Sequence, residues 1–248
     1  MDFKRSSNPV MSDNVFQRAA NDFAGTGEMT VKGTASKSLL LLLLIILTGS
    51  ITYKMTLVGN ASASALMIGG CIGGFILALV NTFRPDKSFI FAPLYALCEG
   101  LALGGLSAFY AVRFDGIILN AVLLTSGIAL AMFFCYRTGL LRATPAFVKG
   151  IVFATSGIAI FYLVSLVASF FEVNISVFSM GKIGLIIQLV IVVIAAFNLI
   201  MDFSFIEENA DNGAPAYMEW YGAFSLMVTL VWLYVELLRL LAIFARRD

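Results

Sequence analysis

Long apolar runs separated by short polar turns dominate this sequence. Each run has the roughly 20 residues that a helix needs to cross a hydrocarbon core of ~30 Å, and each gap carries a charge, a proline or a cluster of glycine and asparagine. The runs are continuous, whereas the strands of a membrane barrel alternate between apolar and polar residues. The pattern therefore predicts an all-α membrane protein with seven transmembrane helices. The predicted spans are Ser38–Leu57, Ala61–Phe83, Phe89–Ala111, Ile117–Tyr136, Val148–Phe171, Ile183–Ile206 and Trp220–Phe244.

The composition argues against most soluble functions. Of the 248 residues, 60% are hydrophobic and 12% are charged, against roughly 45–50% and about 25% in soluble domains. A net charge of +1 does not supply the basic surface that a nucleic-acid-binding protein needs. The chain has no histidine, the commonest general base and metal ligand, and its three cysteines have no CxxC spacing. We therefore expect a protein that is not an enzyme, binds no nucleic acid and has no cofactor.

Residues 1–36 differ from the rest of the chain because they are polar and include several charges. They predict a separate N-terminal tail, followed by a transmembrane domain over residues 37–248. Within the tail, Ser12 is a good N-cap for a short helix over Asp13–Ala24 with one apolar face. This segment predicts either a helix on the membrane surface or a mobile tail.

Most of the lysine and arginine residues fall on one side of the predicted spans. Because cytoplasmic loops carry the excess of these residues, their distribution places the N-terminus in the cytoplasm and the C-terminus outside. The C-terminal tail is also basic, and it returns to the cytoplasm if the last segment is re-entrant.

Glycines recur at four-residue spacing in two of the spans. In lipid, this spacing allows helix backbones to approach each other closely. We therefore expect tight helix packing, rather than ligand binding, at these positions. They are Gly69, Gly70, Gly73 and Gly74 in the second span and Gly100, Gly104 and Gly105 in the third.

Three acidic residues lie inside predicted spans, where an ionisable group costs a few kcal/mol and marks a functional hypothesis. Glu99 and Glu236 lie near the middle of their spans, and Asp202 lies one turn from the end of the sixth. Each acid taken alone is also compatible with a satisfied polar plug or an ion pair near the interface. Three acids on three helices favour a shared polar pathway.

Each of these acids has polar neighbours on its own helix, mostly one turn away. Tyr95 is placed to donate a hydrogen bond to Glu99, and Arg239 is placed to pair with Glu236. Asn198 shares a helix face with Asp202, and Gln188 lies further along the same span.

The acids also predict a geometry and a chemistry. At 1.5 Å per residue, Glu236 lies about 15 Å deeper than Asp202, so we expect it level with Glu99 and paired with it. Facing carboxylates in a low dielectric cannot both stay charged, so such a pair binds a proton near neutral pH without histidine. Their oxygens also suit Ca²⁺, with Asp202 and Glu236 as candidate ligands. No hydrolase, zinc-protease or nucleotide-binding motif accompanies them.

Three motifs are distinctive enough to compare with known families. Near its end the sixth span contains Asn-Leu-Ile-Met-Asp at 198–202, and the last span contains Trp-Leu-Tyr-Val-Glu-Leu-Leu-Arg-Leu-Leu at 232–241. The tail contains Asn-Pro-Val-Met-Ser-Asp-Asn-Val-Phe at 8–16. These motifs resemble the Bax inhibitor family, in its bacterial YccA-like branch, and the resemblance covers roughly residues 38–244.

This resemblance implies an architecture, an activity and a site. The last helix is expected at the centre of the other six, and the expected activity is a pH-sensitive Ca²⁺ leak across the bacterial cytoplasmic membrane. The implied gate is a carboxylate pair between the sixth and last helices, with a basic partner after the second. Asp202 matches the first acid and Arg84 the base. The second acid position falls on Glu236 or on Thr229, depending on the alignment of the last helix.

Two functions therefore compete. The first is a proton-gated Ca²⁺ leak or transporter, whose partners are the lipid bilayer, cations and protons. The second is a non-transporting regulator of a membrane protease or another membrane complex, which the resemblance also implies for bacterial members. A secondary transporter of metabolites is not supported, since the spans show no inverted repeat.

Overall fold

The computed structural model describes residues 27–172 and 181–246, and long helices make up most of this part of the chain. Seven of its helices are long and apolar enough to cross a membrane, by length and composition. This confirms the predicted all-α class and number of spans. A central position for the last helix stays a prediction. The helices are α1 (Val31–Leu57), α2 (Ser62–Phe83), α3 (Ser88–Ala111), α4 (Ile117–Arg137), α5 (Pro145–Ser169), α6 (Lys182–Asp211) and α7 (Met218–Ala245).

Helix α1 begins at Val31, seven residues before the predicted start at Ser38. The N-cap is Thr30, whose hydroxyl accepts a hydrogen bond from the backbone N–H of Gly33 at 2.9 Å. The helix therefore starts before the predicted boundary between residues 36 and 37, and the division into a tail and a transmembrane domain stays a prediction. The helix predicted over Asp13–Ala24 lies outside the described residues.

Helix α6 ends at Asp211, five residues after the predicted end at Ile206. The apolar run stops earlier, but backbone hydrogen bonding continues until Gly213, whose φ of 71° is typical of a glycine that terminates a helix. Asp202 therefore lies nine residues before the end of α6, and the prediction that it lies one turn from the end is wrong.

Two compact units divide the described residues, and both α6 and α7 contribute to each unit. The first unit contains residues 27–119 and 205–228, and the second contains residues 120–204 and 229–246. Large apolar side chains remain exposed, among them Phe75 and Phe153. Exposed apolar surface of this extent is expected where lipid replaces water.

Glycines set the helix packing in the first unit, where α3 packs against both α1 and α2. A Cβ atom on Gly104 would overlap the backbone carbonyl of Gly49 on α1. A Cβ atom on Gly70 would lie 2.6 Å from the backbone oxygen of Cys98 on α3. The predicted small-residue packing is confirmed at these positions, whereas Gly69 has no such neighbour within 4 Å. Gly49 was not among the predicted packing residues.

Side chains rather than glycines pack the second unit. Two aromatic pairs join α6 to its neighbours: Phe133 of α4 with Phe203, and Phe147 of α5 with Phe197, with ring centroids 5.6 and 5.4 Å apart. The buried residues around them are Ala143, Val148, Ile151 and Met201. This packing places α5 and α6 beside each other in the unit that also contains Glu236.

Candidate functional site: a buried glutamate cluster

Glu236 lies about two-thirds of the way along α7 and is only 1% exposed. Its carboxylate oxygen Oε1 accepts three hydrogen bonds. Tyr162 Oη of α5 donates at 2.8 Å, Trp232 Nε1 donates at 3.0 Å, and an Arg239 guanidinium nitrogen donates at 3.3 Å. The side chain is therefore held by donors from α5 and from its own helix.

Gln188 of α6 binds the other carboxylate oxygen of Glu236. Its amide nitrogen Nε2 donates to Glu236 Oε2 and also to the backbone oxygen of Glu236, each at 2.8 Å. Gln188 is fully buried, and its amide oxygen Oε1 has no hydrogen-bond partner among the described residues. The Glu236 cluster thus consists of Tyr162, Gln188, Trp232, Glu236 and Arg239, and it joins three helices.

Helix periodicity explains two of the four residues that bind Glu236. Trp232 precedes Glu236 by four residues and Arg239 follows by three, so both share a face of α7 with it. The Arg239 guanidinium also lies over the Tyr162 ring, 5.1 Å from its centroid. The predicted contact of Arg239 with Glu236 is confirmed, and Gln188 proves to be a direct ligand of the same carboxylate.

The geometry of the cluster fits a charged carboxylate. Both oxygens accept hydrogen bonds, and of the four donors only the Tyr162 hydroxyl can also accept one from a protonated carboxyl group. Arg239 is the charged partner, but it is 36% exposed, so it compensates the charge only in part. The neutral donors supply the rest.

The same geometry bears on the predicted Ca²⁺ ligands, Asp202 and Glu236. Calcium requires six to eight oxygen ligands, whereas the contacts of Glu236 described above are all hydrogen-bond donors. Within residues 27–172 and 181–246, no group of three or more histidine, cysteine or acidic residues gathers where it could hold a metal ion. A cation at Glu236 would have to displace donors.

Asp202 is also buried, with 1% of its surface exposed. Asn198, one turn earlier on α6, is buried as well and donates through Nδ2 to Thr155 Oγ1 of α5 at 3.0 Å. Thr229, the alternative to Glu236 in the family alignment, is buried on α7. The buried polar face of α6 is therefore confirmed, and a pairing of Asp202 with Glu236 or Thr229 stays a prediction.

Glu99 lies on α3 in the first unit, where its carboxylate faces Gly74 of α2. A Cβ atom on Gly74 would lie 2.9 Å from Glu99 Oε2. The predicted hydrogen bond from Tyr95 is wrong, because within the described part of the chain the two side chains form none. Tyr95 instead packs edge-on against Phe224, with centroids 5.0 Å apart.

The partners predicted for Arg84 and Glu99 are not seen among the contacts described above. Arg84 directly follows α2 and is exposed, and its partnership with a carboxylate stays a prediction. Pairing of Glu99 with Glu236 likewise stays a prediction, since the two residues belong to different units.

A second buried glutamate, absent from the predicted site, lies at the start of α7. Glu219 Oε1 accepts hydrogen bonds from the backbone N–H of Thr30 at 2.9 Å and from its hydroxyl at 2.8 Å. Glu219 Oε2 forms an ion pair with Lys37. The Lys37 ammonium group also lies 5.6 Å from the centroid of the Trp220 ring.

Backbone pairing supports the same contact. The N–H of Met29 donates to the oxygen of Ala214 at 2.6 Å, and the N–H of Ala216 donates to the oxygen of Gly27 at 2.8 Å. We call this region, residues 27–37 with residues 214–220, the Glu219 junction. It joins the segment before α1 to the turn between α6 and α7.

Sequence reasoning missed Tyr162 and Trp232 in the cluster, and it missed the whole Glu219 junction. The four-residue spacing of Trp232 and Glu236 was a usable signal. Tyr162 and Glu236 are 74 positions apart, and Thr30 and Glu219 are 189 apart, so only the packing of helices reveals these pairs.

Comparison with known proteins adds one finding. Residues 8–246 match the model of a protein family described as Bax inhibitor 1 like. No curated protein and no solved structure matches the chain.

Proposed function

The chain belongs to the Bax inhibitor 1 like family of membrane proteins, and on that premise we propose that it is a pH-sensitive Ca²⁺ leak gated by buried carboxylates. We place it in a bacterial cytoplasmic membrane with its N-terminus in the cytoplasm. The observation that carries the proposal is Glu236, a fully buried carboxylate within a membrane-spanning helix and bound by donors from three helices.

The gate operates through the charge on Glu236. In its charged form the carboxylate ties α5, α6 and α7 together through Tyr162, Gln188 and Arg239. Protonation removes the ion pair and weakens the charge-assisted hydrogen bonds, which are roughly twice as strong as neutral ones. The three helices then separate more easily.

Asp202 is the proposed ligand for the moving ion. It lies one turn from Asn198 on the buried face of α6, so it combines a carboxylate with a nearby amide oxygen. Hard cations such as Ca²⁺ bind oxygen ligands of these two kinds. Ca²⁺ is cargo in this proposal, and the protein needs no resident metal.

Flux through purified protein tests the proposal. Proteoliposomes containing a Ca²⁺-sensitive dye are measured from pH 5 to pH 8. We expect Ca²⁺ entry that depends on pH, a loss of that dependence in Glu236→Gln, and a fall in flux on the order of tenfold in Asp202→Asn, the equivalent of about 1.4 kcal/mol. The matched control is Glu208→Gln, the same change at an exposed position on α6.

The opposite result supports the competing function. If folded protein passes no Ca²⁺ at any pH, a leak is ruled out, and regulation of a membrane protease becomes the better proposal. Deleting residues 1–26 then tests the tail as the contact element. The deletion must stop there because residues 27–37 belong to the Glu219 junction.

A further inference from the structure

A proton must reach Glu236 if that residue senses pH, yet its side chain is buried on all sides. Only groups that touch the carboxylate and also reach the outside of the cluster can deliver it. The four donors to Glu236 are therefore the candidates, and their chemistry separates them.

Three of these donors cannot pass a proton on. The Trp232 indole nitrogen is a donor only, and the Arg239 guanidinium is never deprotonated in proteins. The Gln188 amide is held by two hydrogen bonds at once, to Glu236 Oε2 and to its backbone oxygen, so it cannot turn to accept. A hydroxyl group both donates and accepts.

We propose that the Tyr162 hydroxyl is the proton relay between the surroundings of the cluster and Glu236. Tyr162 is only partly buried, and its Oη lies 2.8 Å from Glu236 Oε1. The inference rests on the proposed role of Glu236 as the proton sensor, and it adds the route by which the proton arrives.

The step conserves every proton. A hydronium ion outside the cluster gives a proton to Tyr162 Oη while the original hydroxyl proton moves to Glu236 Oε1. One O–H bond forms and one breaks at the tyrosine, which stays neutral, and water is released. Reversal of the same step deprotonates the Glu236 carboxyl group.

The other groups that face Glu236 hold this geometry and do not compete for the proton. Helix α5 contributes Tyr162, α6 contributes the uncharged Gln188, and α7 contributes Trp232 and the positive charge of Arg239. Arg239 also lies over the Tyr162 ring, so the cation fixes the ring whose hydroxyl transfers the proton.

The two tryptophans of the chain provide the measurement. In a Trp220→Phe background the only tryptophan is Trp232, whose indole nitrogen donates to the oxygen that receives the proton, and excitation beyond the tyrosine absorption band selects its emission. The full-length protein in lipid nanodiscs is shifted from pH 8 to pH 5 in a stopped-flow instrument. We expect an emission change that is absent when Glu236→Gln is added.

Tyr162→Phe keeps the ring and the Arg239 contact but removes the hydroxyl. We expect the same initial and final emission and a rate slower by on the order of tenfold to a hundredfold, within the range that a positioned acid–base group contributes. A merely structural role would change the end points instead. Tyr110→Phe, at a partly buried tyrosine of α3, is the matched control and should keep the original rate.

An unchanged rate in Tyr162→Phe overturns the relay. Should that variant fail to fold, the Trp220→Phe protein measured in mixtures of H₂O and D₂O decides: the relay moves two protons, so a curved dependence of the rate on the deuterium fraction supports it, and a linear dependence overturns it. If Trp232 emission does not respond to pH at all, Glu236 is no sensor and the proposed gating fails with the relay. If the Trp232 emission of Tyr162→Phe changes as fast as that of the parent protein, the relay is overturned but the role of Glu236 as a proton sensor is not.

Discussion

Helix α7 buries two glutamates in different ways. Glu219 is 7% exposed and lies in the first turn, where the helix dipole favours a carboxylate and where backbone and side chain of Thr30 bind it. Glu236 is 1% exposed and lies far from both helix ends, where no dipole helps. Its charge depends on side chains placed for it. Glu219 thus fastens a helix end, whereas Glu236 joins α5, α6 and α7 through its hydrogen bonds.

The largest expected difference comes from removing each carboxylate. Glu236→Ala leaves the Tyr162, Trp232 and Arg239 donors without this acceptor, while Gln188 keeps only the backbone oxygen, so we expect a loss of about 3 kcal/mol in the free energy of unfolding. Glu219→Ala removes contacts near a helix end and should cost about 1–2 kcal/mol. Unfolding by SDS in mixed micelles measures both values, and equal losses would contradict the distinction.

A smaller difference is expected from the uncharged donors. Gln188→Leu leaves Glu236 Oε2 without its hydrogen bond and should cost about 1.5–3 kcal/mol, the range for hydrogen bonds to charged groups. Thr30→Val removes an N-cap and one hydrogen bond to Glu219, and should cost about 1 kcal/mol. The same unfolding assay ranks them. A reversed order would show that the junction, not the cluster, carries more stability.

The smallest effect is expected at Glu99, on α3. Among the described residues it has no hydrogen-bond donor, so its carboxylate can move when Gly74→Ala adds a Cβ atom 2.9 Å from it. We expect a net change within about 1 kcal/mol, because alanine favours the helix by a similar amount. Gly69→Ala, five residues earlier with no neighbour within 4 Å, is the control and should stabilise α2. A large loss at Gly74 would show that Glu99 is held as firmly as Glu236.

The fold and part of the site could be predicted from the sequence. Runs of apolar residues gave all seven spans because crossing a bilayer demands a fixed length of apolar helix. The predicted helix ends were less accurate. The Thr30 cap sets the start of α1, and the turn at Gly213 follows the end of α6. Backbone hydrogen bonds, rather than hydropathy, decide both positions.

The acids show the same division. Glu236 and Asp202 were identified because a charge inside an apolar run is costly, and Arg239 followed from helix spacing. Tyr162 is an ordinary partly apolar residue in its own span, and nothing local marks it as a ligand of Glu236. Lys37 and Glu219 look like separate surface charges until the chain brings them together.

The sequence by itself determined that the protein lies in a lipid bilayer, where its helices run, and which few charged residues lie inside them. Each of these follows from the free energy of transferring a side chain between water and lipid. What only the tertiary structure decided was which donors meet which carboxylate. That choice depends on how α5, α6 and α7 pack, and packing brings together residues that no helical period connects.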